Sequence, residues 1–242
     1  GPHTSPSISI GYDVNAKTNV YAAYKEYFLA PTPYQLFDGT NGNRNLKPET
    51  GHEWSVGVHH KFGKTWNSNL SFFSRSTKDK IGWATNPATG TVQYQNFDTE
   101  KAHGINADVR KQLTKHLSAR LGYTYTHIDA TPTRKANRDG YVPKHAVNAG
   151  LDYNDAKWDA HLDIRGVIDR PGPAANIFPR TTYWITDISA NYRVRENVTV
   201  FGRVNNLFDT YYAEQSNVRW GNAGDWWPGQ GRNFRLGVEV TI

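Results

Sequence analysis

The chain has 242 residues and a mass of 27.3 kDa, of which 37% is hydrophobic, with 8 Trp, 14 Tyr and 10 Phe; disorder and a disulfide-stapled miniature are both excluded by these figures. It contains no cysteine, which removes disulfides, thiol nucleophiles and cysteine metal sites while leaving the compartment open. The formal charge of +6, from 28 basic and 22 acidic side chains, is spread along the chain without a basic block, so nucleic acid is not an expected partner.

From the amino end, Gly1 and Pro2 follow neither an initiator Met nor a signal peptide and are expected to be a processing or tag remnant, the chain lacking its natural beginning. Alternation of apolar and polar residues with period two then predicts strands at 7–13, 18–27, 50–62, 66–76, 101–112, 116–129, 144–153, 157–169, 181–194, 197–207 and 231–242, eleven in all. The pattern is clearest in the last, where Phe234, Leu236, Val238, Val240 and Ile242 share one face and Asn233, Arg235, Glu239 and Thr241 the other. Short polar turns are expected at 16–18, 63–65, 114–116, 154–155 and 195–197, and long connections at 28–49, 77–100, 130–143, 170–180 and 208–230.

No segment approaches the roughly 18 consecutive apolar residues of a spanning helix, but a barrel strand crosses a membrane with only about 9 to 11 alternating residues. The negative mean hydropathy, -0.72, therefore does not imply solubility. Short turns alternating with long loops, and one apolar face opposite one charged face with no helices to cover it, predict an all-β, antiparallel transmembrane β-barrel; the alternative is a soluble sandwich or sugar-binding barrel. Tyr183, Trp184 and Tyr192 are expected in aromatic girdles at the lipid interface, or else in ordinary strand packing. Arg110, Arg120, Asp163, Arg165, Asp187, Arg193, Arg203, Arg235 and Glu239 are expected to line a polar lumen, paired across strands more than bound to substrate. Eleven is an odd number, so the chain is expected to begin outside, end inside and form part of a larger barrel completed by another segment, a closed barrel of ten or twelve strands being the alternative.

Several segments are similar to the loop and strand signatures of TonB-dependent outer-membrane receptors. They are Phe28-Leu29-Ala30-Pro31, Asn43-Arg44-Asn45-Leu46-Lys47-Pro48-Glu49, Tyr141-Val142-Pro143-Lys144-His145 leading into Asn148-Ala149-Gly150-Leu151-Asp152-Tyr153, Val204-Asn205-Asn206-Leu207-Phe208-Asp209-Thr210-Tyr211-Tyr212, and Pro228-Gly229-Gln230-Gly231-Arg232-Asn233-Phe234. The resemblance implies a bacterial outer-membrane importer, a barrel of about 22 strands filled by an amino-terminal plug that a TonB-type energy-coupling complex engages. No plug or coupling box is recognisable here, so residues 1–242 are expected to be the carboxyl-terminal half of the barrel, needing a complementary amino-terminal barrel and plug segment. The implied chemistry is capture and displacement without covalent turnover and with no intrinsic cofactor. The implied cargo is a ferric siderophore or related metal chelate, with haem or cobalamin as alternatives, and a passive porin as a different class.

Candidate ligand contacts fall in two long connections. The first carries Tyr34, Gln35, Phe37, Asp38, Asn41, Asn43 and Arg44, aromatic surface mixed with hydrogen-bonding groups, where loop folding alone also explains the turn residues. The last carries Tyr211, Tyr212, Glu214, Gln215, Arg219, Trp220, Asp225, Trp226 and Trp227, suited to stacking on a planar ligand with Arg219 complementing an anionic chelate, or equally to loop packing and anchoring. Haem receptors resembling this pattern often place a ligating His between the first two signatures; residues 28–46 contain none, which puts siderophore ahead of haem. His59 and His60 must face opposite sides of a strand, and His103, His116, His127, His145 and His161 lack metal-ligand spacing, so no protein-bound metal is expected. A hydrolase is the weaker alternative: there is no Gly-x-Ser-x-Gly elbow and no His-Glu-x-x-His motif, and nothing in the sequence links Asp129 to His161 as a catalytic pair.

Overall fold

In a computed structural model the described residues are 4–86, 88–97, 99–129, 142–170, 181–219 and 223–241. Eleven strands form one antiparallel sheet in chain order: β1 (Ser7–Asn15), β2 (Thr18–Leu29), β3 (Glu49–Phe62), β4 (Trp66–Lys78), β7 (Glu100–Gln112), β8 (Leu117–Asp129), β9 (His145–Asn154), β10 (Trp158–Arg170), β11 (Thr181–Arg195), β12 (Val198–Asn205) and β15 (Asn233–Val240). These are the eleven strands that the alternation predicts. The sheet is open, β1 and β15 being its two edges.

Two of the expected long connections contain structure that the alternation does not register. Between β4 and β7 lies the hairpin β5 (Lys80–Thr85) and β6 (Val92–Phe97), and between β12 and β15 the hairpin β13 (Ala213–Arg219) and β14 (Ala223–Pro228). The first long connection carries a single helix, α1 (Pro33–Phe37), with Thr32 as its N-cap. Most of the connections expected at 130–143 and 170–180 lies outside the described residues.

The registers place every apolar stripe on one face. Val240, Val238, Leu236 and Phe234 stand opposite Val198, Val200, Gly202 and Val204, and the same face runs through Ile188, Leu162, Leu151, Leu121, Val109, Leu70, Val58 and Val20 to Tyr12. Phe234 is 83% exposed and Leu236 79%, whereas among the described residues the buried apolar side chains are only Ala102, Ile185, Tyr212 and Ala213. A sheet with no dry centre and such an apolar outer face matches lipid as its solvent and excludes the soluble sandwich. All nine charged side chains expected in the lumen share the other face, as Arg110 opposite Arg120, Asp163 opposite Asp187 and Arg203 opposite Arg235 illustrate.

Aromatic residues bracket the apolar face. Trp54 and Phe62 on β3, and Trp184 and Tyr192 on β11, are each eight positions apart on the outward side. At roughly 3.3 Å per residue and a tilt of about 40° this spans on the order of 20 Å, close to the ~25 Å band of an outer-membrane barrel. Tyr183 is the exception to the expected girdle. Its neighbour Trp184 takes the outward face, so alternation turns Tyr183 inward, where its ring lies 5.0 Å from that of Tyr212.

Candidate functional site

The long-connection end of the sheet gathers the candidate residues into two clusters. In the first, the Thr32 side chain accepts from Gln35 N at 3.2 Å while Thr32 N donates to Gln35 Oε1 at 2.8 Å, a reciprocal cap that starts α1 with Pro33 in its first turn. The helix presents Tyr34, 60% exposed, and Phe37, 61% exposed. The Arg44 guanidinium stands 5.4 Å from the Phe37 ring centre, so the three candidates Tyr34, Phe37 and Arg44 form one surface of two aromatic rings and a cation.

That surface is stitched to the β5–β6 hairpin, a partnership with no signal in the first loop's own sequence. Tyr94 N donates to Asn41 O at 2.9 Å, Asn43 Nδ2 donates to Tyr94 O at 2.8 Å, and the Tyr94 ring meets Tyr34 edge-on at 6.2 Å. Asn96 bonds the Lys47 backbone twice, accepting from its N–H and donating to its C=O at 2.8 Å each, and also donates to Asp79 O at 2.6 Å. Glu49 Oε1 accepts from Ile81 N at 2.8 Å. Tyr94 and Asn96 are thus site residues that sequence reasoning passes over. The available signal was the turn composition of Asn86 to Gly90 between two short alternating runs, a hairpin pattern inside what reads as loop.

Beneath this unit, on the lumenal face, a cleft of roughly 530 Å³ is lined by Lys25, Glu53, Arg75, Thr77, Lys80 and Glu100. Lys25 pairs with Glu53 at 2.9 Å and Lys80 with Glu100 at 3.1 Å. Arg75, on the same face, has no hydrogen bond or ion pair to a described residue. Among the described residues the cleft thus sets one unpaired guanidinium next to satisfied pairs, an arrangement that suits an anionic group carried by a ligand.

The second cluster shows what holds the last long connection in place. Asn206, 2% exposed and with φ of 50°, donates through Nδ2 to Thr210 O at 2.9 Å and Gln230 O at 3.0 Å, accepts from Thr210 N at 2.8 Å, and its own N–H reaches Asp187 Oδ1 at 2.7 Å. Asp209 Oδ1 accepts from Arg232 N at 2.7 Å, and Asn205 donates to Asn233 at 2.8 Å. The two signatures near the carboxyl end are thus one knot that closes the base of the loop.

Tyr212, a ligand candidate by sequence, is 8% exposed. Its ring packs on Tyr183, lies 5.9 Å from the Arg165 guanidinium and covers Gly229, where a Cβ would collide with the ring. Burial, and after it the Glu214 carboxylate, push the Tyr212 hydroxyl above its usual pKa. The buried Arg170 donates to Ala213 O at 2.6 Å and Glu214 O at 2.9 Å. Of the other candidates, Trp227 is 46% exposed on β14, Trp226 and Arg219 stand opposite Ser216 and Ala223 in the hairpin ladder, and Trp220 lies outside the described residues. Tyr211 and Phe208, at 81% and 72%, are the exposed rings of this loop's first segment.

The lumen wall below is a charged network. Asp152 receives Arg120 Nε at 3.2 Å, Arg110 at 3.7 Å and His161 at 2.9 Å; His161 also meets Asp159 at 2.8 Å, and Arg120 pairs with Asp163. No group of three or more His, Asp or Glu side chains among the described residues has metal-binding geometry. His59 and His60 face opposite sides, His59 stacking on Tyr21 at 5.1 Å and His60 meeting Phe62 at 4.3 Å.

The sequence pattern described as "TonB dependent receptor-like, beta-barrel" matches residues 1–207. The iron-regulated outer membrane virulence protein of Vibrio cholerae is 27% identical over 271 aligned positions, covering 100% of this chain and 40% of its own length. The ferripyoverdine receptor of Pseudomonas aeruginosa is 25% identical, covering 86% of this chain and 27% of its own length. Among solved structures, a ferric enterobactin receptor variant from Pseudomonas aeruginosa superposes with a TM-score of 0.77 at 18% identity, over 98% of this chain and 40% of that one. The chain spans well under half the length of these relatives.

Proposed function

The chain belongs to the TonB-dependent receptor β-barrel family, a family of the bacterial outer membrane, and on that membership we propose that it forms wall and recognition loops of an importer for a ferric siderophore or related metal chelate. The long connections then face outside and the short turns face the periplasm. The observation that carries the cargo class is the surface of Tyr34, Phe37 and Arg44 at the mouth, above a cleft whose Arg75 guanidinium is unpaired among the described residues. Flat aromatic area with guanidinium groups complements a ferric chelate, which is planar or amphipathic in its ligand and often anionic overall. The relatives' names, a ferripyoverdine receptor and an iron-regulated protein, support the same class.

The working assembly in this reading includes a complementary barrel segment, a plug and, through the plug, a TonB-type energy-coupling complex. The chain contributes binding and guidance and no covalent step, and it needs no intrinsic cofactor. Haem and cobalamin remain the alternative cargoes, and passive conduction the alternative mode.

Titration of the complete receptor with chemically distinct ferric siderophores, haem and cobalamin tests the cargo. Tight siderophore binding, weakened about tenfold by Tyr34→Ala with Phe37→Ala, is the expected result for loss of two aromatic contacts. Tight haem or cobalamin binding with no siderophore bound overturns the assignment. Ion conductance through the purified receptor without an energy source would favour the porin.

A further inference from the structure

At the end of the sheet opposite the mouth, short turns join β1 to β2, β3 to β4, β7 to β8, β9 to β10 and β11 to β12, and in the order of the sheet they follow one another every second strand. The first four carry one lysine each: Lys17, Lys64, Lys115 and Lys157. All four are exposed, and none of their ammonium groups has a hydrogen bond or ion pair with a described residue. The fifth turn holds Glu196 next to Arg195.

Neighbouring carboxylates do not neutralise the row. Asp155 is held by its own turn, accepting from Trp158 N, the Tyr153 hydroxyl and Lys157 N. Asp159 accepts from Asn154 Nδ2 at 2.9 Å, and Asp13 from Asn19 Nδ2 at 2.7 Å. Lys111, by contrast, is engaged on the barrel itself, its ammonium 4.8 Å from the Trp66 ring centre.

Height and spacing select the partner. Phe62 and Trp66 mark the inner aromatic level on β3 and β4, and Lys64 lies two residues beyond each along the chain. Two residues carry the backbone on the order of 5 Å past the rings, and the lysine stem carries its charge further, through a headgroup layer about 5–7 Å deep. The charges therefore stand in the periplasm and not among lipid phosphates. Adjacent turns are two strands apart, about 10 Å, so no two of the lysines can share one small anion. An occupant that meets all four has to present anions repeatedly along a line. The polymer of that description beneath a bacterial outer membrane is the cell-wall glycan, whose peptide stems carry free carboxylates at regular intervals. We propose that Lys17, Lys64, Lys115 and Lys157 dock this rim of the barrel on the stem carboxylates of peptidoglycan, a docking that rests on the outer-membrane orientation of the chain.

Co-sedimentation of the complete receptor, in phosphatidylcholine nanodiscs, with purified protein-free sacculi tests this. Wild type is expected to sediment at low ionic strength and to be released at roughly 1 M salt, where the screening length is about 3 Å. The Lys17→Gln/Lys64→Gln/Lys115→Gln/Lys157→Gln variant is expected to bind about tenfold more weakly, the order expected for four exposed ion pairs, and the matching arginine variant to bind as wild type. Sacculi whose carboxylates have been amidated are expected to lose the wild-type receptor. Equal sedimentation of the glutamine variant, or undiminished binding to amidated sacculi, overturns the proposal. Binding to phosphatidylglycerol vesicles through the same lysines, without binding to sacculi, overturns it in favour of an anionic lipid surface. If the glutamine variant misfolds, the amidated sacculi decide with wild type alone. Cargo affinity is expected to be equal in all variants; a receptor that binds sacculi through the lysines but no iron chelate fails the cargo assignment and leaves the docking intact.

Discussion

Arg120 on β8 pairs with Asp163 on β10, passing over Gly150 of the intervening strand, where any Cβ would collide with the guanidinium. Tyr27 on β2 reaches Thr77 on β4 in the same way, at 2.7 Å, over Gly51 of β3. In both cases a missing side chain lets a long one tie next-nearest strands together, so that three strands rather than two are locked in register. Within the lumen the device has an electrostatic use as well: it neutralises Asp163, which faces Asp187 directly across the β10–β11 ladder.

Gly150→Val raises intrinsic strand propensity, yet it is expected to destabilise the barrel by about 1–2 kcal/mol, because it displaces a part-exposed ion pair and leaves Asp163 facing Asp187. In an Arg120→Ala background the same change should cost little or nothing. Urea unfolding of the complete receptor in lipid vesicles, run as a double-mutant cycle, measures the difference; equal costs in the two backgrounds would remove Gly150 from this role.

Asn96→Asp should loosen the mouth more than Asn96→Ala. The amide donates to Lys47 O and Asp79 O, and a carboxylate placed there faces two carbonyls instead of serving them. The expected readout is faster amide exchange at Lys47 and across the first loop, with cargo affinity falling about threefold to tenfold, the equivalent of roughly 1 kcal/mol. Unaltered exchange at Lys47 in both variants would show that the hairpin does not brace the loop.

Acid should act on a periplasmic turn through Asp155. Its carboxylate accepts from Trp158 N at 2.7 Å, the Tyr153 hydroxyl at 2.7 Å and Lys157 N at 2.8 Å, which hold its pKa down to about 2 from 3.8. A lowered folded-state value means that the turn's contribution is fully present above the unfolded carboxylate range and is lost as pH falls toward 2. Asp155→Asn should flatten that part of the stability profile below pH ~4 while the remaining carboxylates still titrate. A titration of Asp155 centred near pH 4 would contradict the turn geometry.

Tyr212 separates structural from ligand-contacting aromatics. Its ring is 8% exposed between Tyr183 and Gly229, so Tyr212→Ala should loosen the last loop by about 3 kcal/mol, the scale of a large-to-small change at a buried ring. Tyr212→Phe should be close to neutral for stability. Proteolytic cleavage within the loop measures the effect. Cargo affinity lost in the phenylalanine variant with cleavage unchanged would make the hydroxyl a ligand contact.

Strand number, order and face were readable because lipid imposes a strict rule on each residue: alternate side chains go to hydrocarbon or to the lumen, with no covering layer to blur the pattern. Arg110, Arg120 and Asp163 fell to the lumen on alternation alone. Alternation also carries the correction for Tyr183, since its neighbour Trp184 holds the outward place. The two loop hairpins escaped because their ladders lie outside the lipid, where composition resembles turn and period two spans only six or seven residues.

What sequence alone determined was therefore the all-β alternation, the eleven crossings, the sorting of short turns from long loops and the family signatures, all properties of residues near one another in the chain. Tertiary structure decided which rings meet solvent and which meet each other: Tyr34 and Phe37 stay exposed on a short helix whose loop is held by Tyr94 at Asn41 and Asn43 and by Asn96 at Lys47, while Tyr212 is buried on Tyr183. Those outcomes depend on contacts between residues tens of positions apart, and local periodicity holds no information about which distant side chain fills a given space.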